Sequence, residues 1–149
     1  MRAVIQRVDC AGVKINQKEV SSIKLGYLIF LGVQKEDTEA DANYILDKVI
    51  NLRIFEDSEG KMNQSLIDIE GELLVVSQFT LLADCRKGRR PSFLNAETPE
   101  KAQDLYNYFI DKAGGKIKKV AGGKFQQLMR IELVNNGPVT ILLDSRKNI

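Results

Sequence analysis

Four short stretches hold the residue types from which a reaction site could be built: Gln6-Arg7-Val8, Ser77-Gln78-Phe79-Thr80, Arg86-Lys87-Gly88-Arg89-Arg90 and Gly137-Pro138. What is missing narrows their chemistry. The chain contains 0 His, which excludes Ser-His-Asp and Cys-His catalysis, a histidine general base and every His-containing zinc site. Its 2 cysteines, Cys10 and Cys85, are too few for a four-thiolate metal centre and read as plain reduced thiols. No metal and no cofactor is expected. Thr80 carries the hydroxyl of a nucleophile, but no base is in view to activate it, and an internal Thr cannot borrow its own α-amino group.

The other stretches each admit two readings. Ser77, Gln78 and Thr80 follow the apolar run Leu73 to Val76, so they either cap stray backbone groups at a strand end or present polar groups to a ligand from a rigid base. Gly137-Pro138 suits a hairpin turn, or a backbone that approaches a ligand closely and offers it main-chain groups. The residues alone do not choose. Arg86, Lys87, Arg89 and Arg90 place 4 cations within five positions, either a solvated loop or a grip on a phosphate backbone. Gly114-Gly115 and Gly122-Gly123 lack phosphate-loop spacing, so nucleoside triphosphate binding has no support.

The scaffold that must hold these stretches is 149 residues long, 44% hydrophobic and 28% charged, which suits one globular domain with a conventional core. With 22 Lys and Arg against 20 Asp and Glu, the net charge of +2 cannot by itself hold a polyanion, and any such site must come from local clustering. The N-terminal segment alternates like a strand, and no run of about 18 apolar residues occurs, so a soluble cytoplasmic protein without membrane contact is expected.

Periodicity predicts strands at Met1 to Val8, Gly12 to Ile15, Val20 to Ile23 and Tyr27 to Val33, opening the fold as a meander. Thr38 and Asp41 have capping-box spacing ahead of a helical face of Ala42, Ile45, Leu46, Val49 and Leu52. Strands follow at Arg53 to Glu56, Leu66 to Ile69 and Glu72 to Phe79, with turns at Asp57 to Gly60 and around Gly71. A second helix starts at Thr98-Pro99, buries Ala102, Leu105, Tyr106, Phe109 and Ala113, and stops at Gly114-Gly115. Ile117 to Val120, Met129 to Val134 and Val139 to Leu143 complete an α/β fold, with mixed sheets layered against a helix pair.

Taken together, Gln6-Arg7-Val8, Asn51-Leu52-Arg53-Ile54-Phe55, Ser77-Gln78-Phe79-Thr80-Leu81, Arg86-Lys87-Gly88-Arg89-Arg90-Pro91-Ser92-Phe93 and Asn136-Gly137-Pro138-Val139-Thr140 resemble the signature blocks of the D-aminoacyl-tRNA deacylases of bacterial and eukaryotic type. The blocks run in order over nearly the whole chain. The resemblance implies a single-domain β/β/α fold and a homodimer with active sites at the subunit interface. There Ser77 to Thr80 of one subunit would face a Gly-cis-Pro pair, Gly137 and Pro138, of the other. The substrate it implies is a tRNA whose 3′ end is esterified to a D-amino acid or to glycine, hydrolysed as chiral proofreading in translation.

On that resemblance, Ser77, Gln78, Phe79 and Thr80 form the catalytic block, which positions the ester and stabilises its oxyanion through backbone amides. The terminal adenosine's own 2′-hydroxyl would assist the attacking water. Arg7 would orient the Gly-Pro pair, Phe125 and Met129 would line the adenine pocket, and Arg86, Lys87, Arg89 and Arg90 would hold the tRNA backbone. One departure stands out. The family commonly has Gly-x-Phe-Gly-Ala-x-Met where this chain reads Gly123-Lys124-Phe125-Gln126-Gln127-Leu128-Met129, so Gln126 and Gln127 are expected to add bulk at that pocket. Two other readings compete: a non-catalytic tRNA-binding or ribosome-associated dimer of the same fold, and an esterase or peptidase using Thr80, which lacks a base.

Overall fold

A computed structural model describes residues 1–149. Strand β1 (Arg2–Ile15) is the spine. One edge of it pairs antiparallel with β3 (Gly26–Gly32) through residues 2–8 and with β2 (Lys18–Ile23) through residues 11–15, so β2 and β3 lie end to end instead of forming the expected meander. Its other edge pairs along almost its whole length with a 15-residue strand at the C-terminal end (Arg130–Asp144).

The side of β1 that is buried changes along the strand. Ala3 and Ile5 face the helices, whereas Val8, Ala11 and Val13 belong to a second cluster on the opposite face. Val8 reaches that face by simple alternation, and an irregularity at Asp9, where β1 carries one residue more than its partner, keeps the odd-numbered Ala11 and Val13 there with it, since an inserted residue exchanges the faces of everything beyond it.

From β3 the chain enters α1 (Glu39–Asn51), where the Thr38 amide donates to Asp41 Oδ2 at 2.9 Å, the expected capping contact. A small hairpin follows, β4 (Phe55–Glu56) with β5 (Met62–Gln64). Leu66 to Ile69, expected as a strand, is a turn: Gly71 N bonds Leu66 O at 2.9 Å, and Ser65 Oγ donates to Asp68 at 2.7 Å. Its apolar residues are spaced for burial of Leu66 under the turn, not for a ladder.

Strand β6 (Glu72–Ser77) then lies parallel to β3, and both are buried on two faces. Tyr27, Ile29, Leu31, Leu73 and Val75 meet the helices, while Leu28, Leu74 and Val76 fill the interior of the curled sheet. That is why both segments read as unbroken apolar runs. A 3₁₀ turn (Phe79–Leu82) ends the segment two residues earlier than expected.

Helix α2 (Pro99–Gly114) packs beside α1 and leads into β7 (Val120–Gly122), parallel to β6. The expected strand at Ile117 to Val120 thus forms later, because Ile117 is taken up as a buried plug behind the helix end. Ser21 Oγ donates to the Gly122 carbonyl at 2.9 Å, so β2 meets β7 and the sheet nearly closes. The C-terminal strand is β8, one strand where two were expected.

Tyr106 ties α2 to this sheet: its hydroxyl donates to Val75 O at 2.8 Å, and burial pushes its pKa up to about 12. The folded state therefore holds this proton more tightly than the unfolded chain. Its contribution is full below pH 10 and lost as pH rises through about 12. Urea midpoints are expected to stay level up to about pH 10 and then fall, and Tyr106→Phe should lose about 1 kcal/mol at pH 8 but show a shallower alkaline decline. An equally steep decline in the variant would assign the alkaline loss elsewhere.

Candidate functional site

The mouth of β6 is where polar groups emerge from the core. Ser77 pairs with Leu31, and the Gln78 amide is spent on Leu31 O at 2.8 Å, which pins the strand end. The 3₁₀ turn's first internal bond runs from Leu81 N to Gln78 O, 3.3 Å. The amides of Phe79 and Thr80 lie ahead of it, so the turn itself offers them no acceptor and they are its open donors, on two exposed residues. The Gln78 side-chain amide donates to Thr80 Oγ1 at 2.5 Å, which holds the hydroxyl as an acceptor. No basic group receives its proton. Such an arrangement fits polarisation of a carbonyl by main-chain donors better than attack by a side chain.

Beside this turn opens a cleft of about 540 Å³, lined by Ser77, Gln78, Phe79, Phe125, Gln126, Gln127 and Met129, with Ala96, Glu97 and Pro99 on the opposite wall. Phe125 is steadied by Tyr106, with ring centroids 6.2 Å apart. Met129 presses on Gly123 so closely that a Cβ there would lie 2.7 Å from its sulfur. The structure thus brings Phe125 and Met129 together with Ser77, Gln78 and Phe79. Gln126 also lines the cleft, and it adopts φ +59°, a left-handed conformation costly for a side-chain-bearing residue. That backbone is the physical reason a glycine would suit position 126.

Gly137 and Pro138 lie elsewhere. In the β8–β1 ladder Thr140 pairs with Gln6 and Asn135 with Val8, so residues 136–139 bulge out opposite Arg7 alone. The Gly137-Pro138 bond is cis, and both residues are exposed. The bulge is braced from three sides. Asn135 Oδ1 accepts the Val139 amide at 3.0 Å, Asn136 Nδ2 donates to Asp9 at 2.5 Å, and Arg7 Nε donates to Asn136 O at 3.1 Å.

Arg7 is itself fixed, buried to 4% exposure, with Nη1 on Ile54 O at 2.6 Å and Glu56 3.6 Å from Nη2. The roles of Asn135, Asp9 and Glu56 in this support escaped sequence reasoning. An Asn two places before Gly-Pro was the available signal for the first, since Asn side chains commonly bond the backbone of a turn.

The registers show how far the bulge is from the cleft. Arg7 pairs with Tyr27, whereas Ser77 pairs with Leu31, four residues or about 13 Å along β3. From β8 through β1 and β3 to β6 adds three strand spacings, about 14 Å. One chain does not bring Gly137 and Pro138 to Ser77–Thr80.

The root of the cationic loop is nearer the cleft: Phe93, which follows Ser92, rests on the cleft residue Phe79. That root is closed by Asp84 and Ser92, bonded both ways at 2.8 and 3.0 Å. Arg86 is turned back on Asp84 by two guanidinium bonds of 2.9 and 2.7 Å, which hold the Asp84 carboxyl far below the usual carboxylate range. Lys87, Arg89 and Arg90 are exposed and make no ion pair. Nowhere do three or more His, Cys, Asp or Glu side chains converge as a metal site would need. No helix is long and apolar enough to cross a membrane.

A sequence model of the family described as D-Tyr-tRNA(Tyr) deacylase matches residues 4–144. A D-aminoacyl-tRNA deacylase of Syntrophus aciditrophicus (strain SB) is 62% identical over 147 residues, 99% of each chain. Proteins of the same name from Thermosipho melanesiensis and Clostridioides difficile (strain 630) are each 55% identical over 148 residues, again 99% of each chain. Among solved structures, the c-Myc DNA Unwinding Element Binding Protein is similar at TM-score 0.92 and 38% identity, covering 97% of this chain and 98% of that one. A probable eukaryotic D-amino acid tRNA deacylase, at TM-score 0.76 and 18% identity over 95% and 97% of the two chains, shares the fold.

Proposed function

The chain belongs to the D-Tyr-tRNA(Tyr) deacylase family, and we propose that it hydrolyses D-aminoacyl-tRNA at a site built by two copies of itself. The observation that carries this reading is the open pair of amides at Phe79 and Thr80, set at the mouth of the cleft. The terminal adenosine lies against Phe125 and Met129, and the ester carbonyl points its oxygen at those amides. Water adds to the carbonyl carbon, and the negative charge that develops on oxygen is met by donors already in place. The intermediate collapses with cleavage of the bond to the ribose oxygen, which regains a proton, and free tRNA and D-amino acid leave. The adjacent ribose 2′-hydroxyl assists the water, which suits a chain without histidine.

The separation of Gly137-Pro138 from the mouth of β6 supports a homodimer, because a second copy can supply what one chain holds about 20 Å away along the sheet. The exposed bulge then stands over the partner's cleft and contacts the substrate through backbone groups. A main-chain wall grips the α-amino group common to all substrates and leaves no room for an L side chain. Glycine has no side chain to reject. The enzyme works in the cytoplasm, where charged tRNA is used.

The test is a deacylation assay on D-Tyr-tRNA, L-Tyr-tRNA and Gly-tRNA: loss of the D and glycyl esters with the L ester intact is expected. Intact D ester would favour a binding protein that kept the fold, and equal loss of D and L would refute the backbone wall. Thr80→Ala is expected to keep kcat within about 10-fold, against the thousand-fold or more of a lost nucleophile. A trapped acyl-Thr80 would overturn the main-chain mechanism.

Lys87, Arg89 and Arg90 serve the tRNA backbone in this reading, and Arg86 shapes their loop. Replacing the three with Ala should flatten the salt dependence of tRNA binding by roughly 0.7 to 0.9 in log-log slope for each phosphate that is no longer neutralised. Arg86→Ala alone should change that slope little, and a full-sized change there would show that its pairing with Asp84 gives way to RNA.

A further inference from the structure

Between the mouth of the cleft and the cationic loop stands a pair of aromatic rings that the reaction as described does not use. Phe79 is 57% exposed and Phe93 37% exposed, and their rings meet edge to face with centroids 5.0 Å apart. Their place on the surface is set from both sides. Phe79 lines the cleft, and Phe93 opens a turn, closed by Ala96 N on Phe93 O at 3.0 Å, whose last residue lines it too. In the other direction Phe93 follows Ser92, the anchor of the loop that carries Lys87, Arg89 and Arg90. The two rings therefore stand between the cleft and the root of the loop that carries the free cations.

We propose that Phe79 and Phe93 form a stacking platform for the unpaired bases that precede the terminal nucleoside of the RNA 3′ end. This rests on the deacylase reading above. With the terminal nucleoside in the cleft, the preceding nucleotides leave over the rim, where their phosphates meet the cations and their bases must either stay in water or find an apolar face. Every base has a π face, so stacking is tolerant of sequence and demands no hydrogen-bond match. The charge beside the rings favours a polyanionic single strand over a protein segment.

Phe93 is the residue to test, because Phe79 also contributes a backbone amide to the reaction. Phe93→Leu keeps apolar bulk but removes the ring. It is expected to raise KM for D-Tyr-tRNA roughly 5- to 100-fold with kcat within about 3-fold, and Phe93→Tyr should restore it. On D-tyrosyl-adenosine, which has no preceding base, the variant and the parent should be equal. A short single-stranded RNA ending in adenosine, with 2-aminopurine as the penultimate base, should be quenched on binding the parent protein and not on binding Phe93→Leu.

Unchanged KM in a folded Phe93→Leu, equal losses on the long and short esters, or no quenching with the parent would each overturn the platform. Quenching without hydrolysis of any D ester would keep the platform and refute the deacylase reading instead.

Discussion

Gly137→Ala is expected to cut turnover of D-Tyr-tRNA by about 100-fold or more while the chain still folds. Gly137 has φ +123°, a region that L side chains rarely enter, and strain of this kind costs on the order of 1–3 kcal/mol. An added Cβ would stand 2.8 Å from Val139 Cγ2, 2.9 Å from Arg7 Nη2 and 3.1 Å from the Val139 backbone nitrogen. Arg7 cannot step aside, being buried and committed to Ile54 O and Asn136 O. The bulge must therefore change its path.

The cost to folding stays small, since the bulge is exposed and the β1–β8 ladder continues on both sides of it. The cost to reaction is large, because displacement by about 1 Å of a group that orients a substrate can cost 100-fold. Single-turnover deacylation, read beside a melting curve, checks both halves. Activity within about 5-fold of the parent would show that the backbone at position 137 does not set the substrate's orientation.

The largest effect on stability is expected from Gly26→Ala. Gly26 begins β3, pairs with Val8 on one side and Glu72 on the other, and approaches β6 so closely that a Cβ would lie 1.9 Å from Glu72 O and 2.7 Å from Glu72 N. Both of those atoms are backbone, so relief requires β3 and β6 to separate at their shared end. These two strands carry Tyr27, Leu28, Ile29, Leu73, Leu74 and Val75, all without exposed surface. A loss on the order of 4 kcal/mol or more is expected, a large share of the roughly 5–15 kcal/mol that holds a domain together. The variant should be recovered mainly as insoluble protein, or melt at least about 10 °C lower. A soluble variant with an unchanged melting temperature would mean that the β3–β6 contact is looser than the structure shows.

Much of this was legible in the residues themselves. Thr38 with Asp41 and Thr98 with Pro99 announced both helix starts, because a capping box and a proline at the first helical position each act within one turn. The cleft was legible in part: polar residues after an apolar strand marked Ser77 to Thr80, while Phe125 and Met129 were marked only by the family resemblance. The turn at Leu66 to Ile69 was not, since four residues with apolar ends suit a ladder and a tight turn equally, and the Ser65–Asp68 contact decides only once the chain has folded back. Phe93 was equally mute, for nothing nearby in sequence says that it will rest against Phe79.

The amino-acid sequence alone excludes histidine chemistry, and it marks the family through short blocks that match in order. It also determined which segments are buried on both faces, because burial is written in residue type. Only the folded chain shows that Gly137-Pro138 is a bulge within a single long strand, and that this bulge lies on a different strand from the mouth of β6. Both facts depend on pairing between residues distant in sequence, such as Gln6 with Thr140, Val8 with Asn135 and Leu31 with Ser77. Register at that range is set by which faces the whole sheet must bury, a property no local pattern contains.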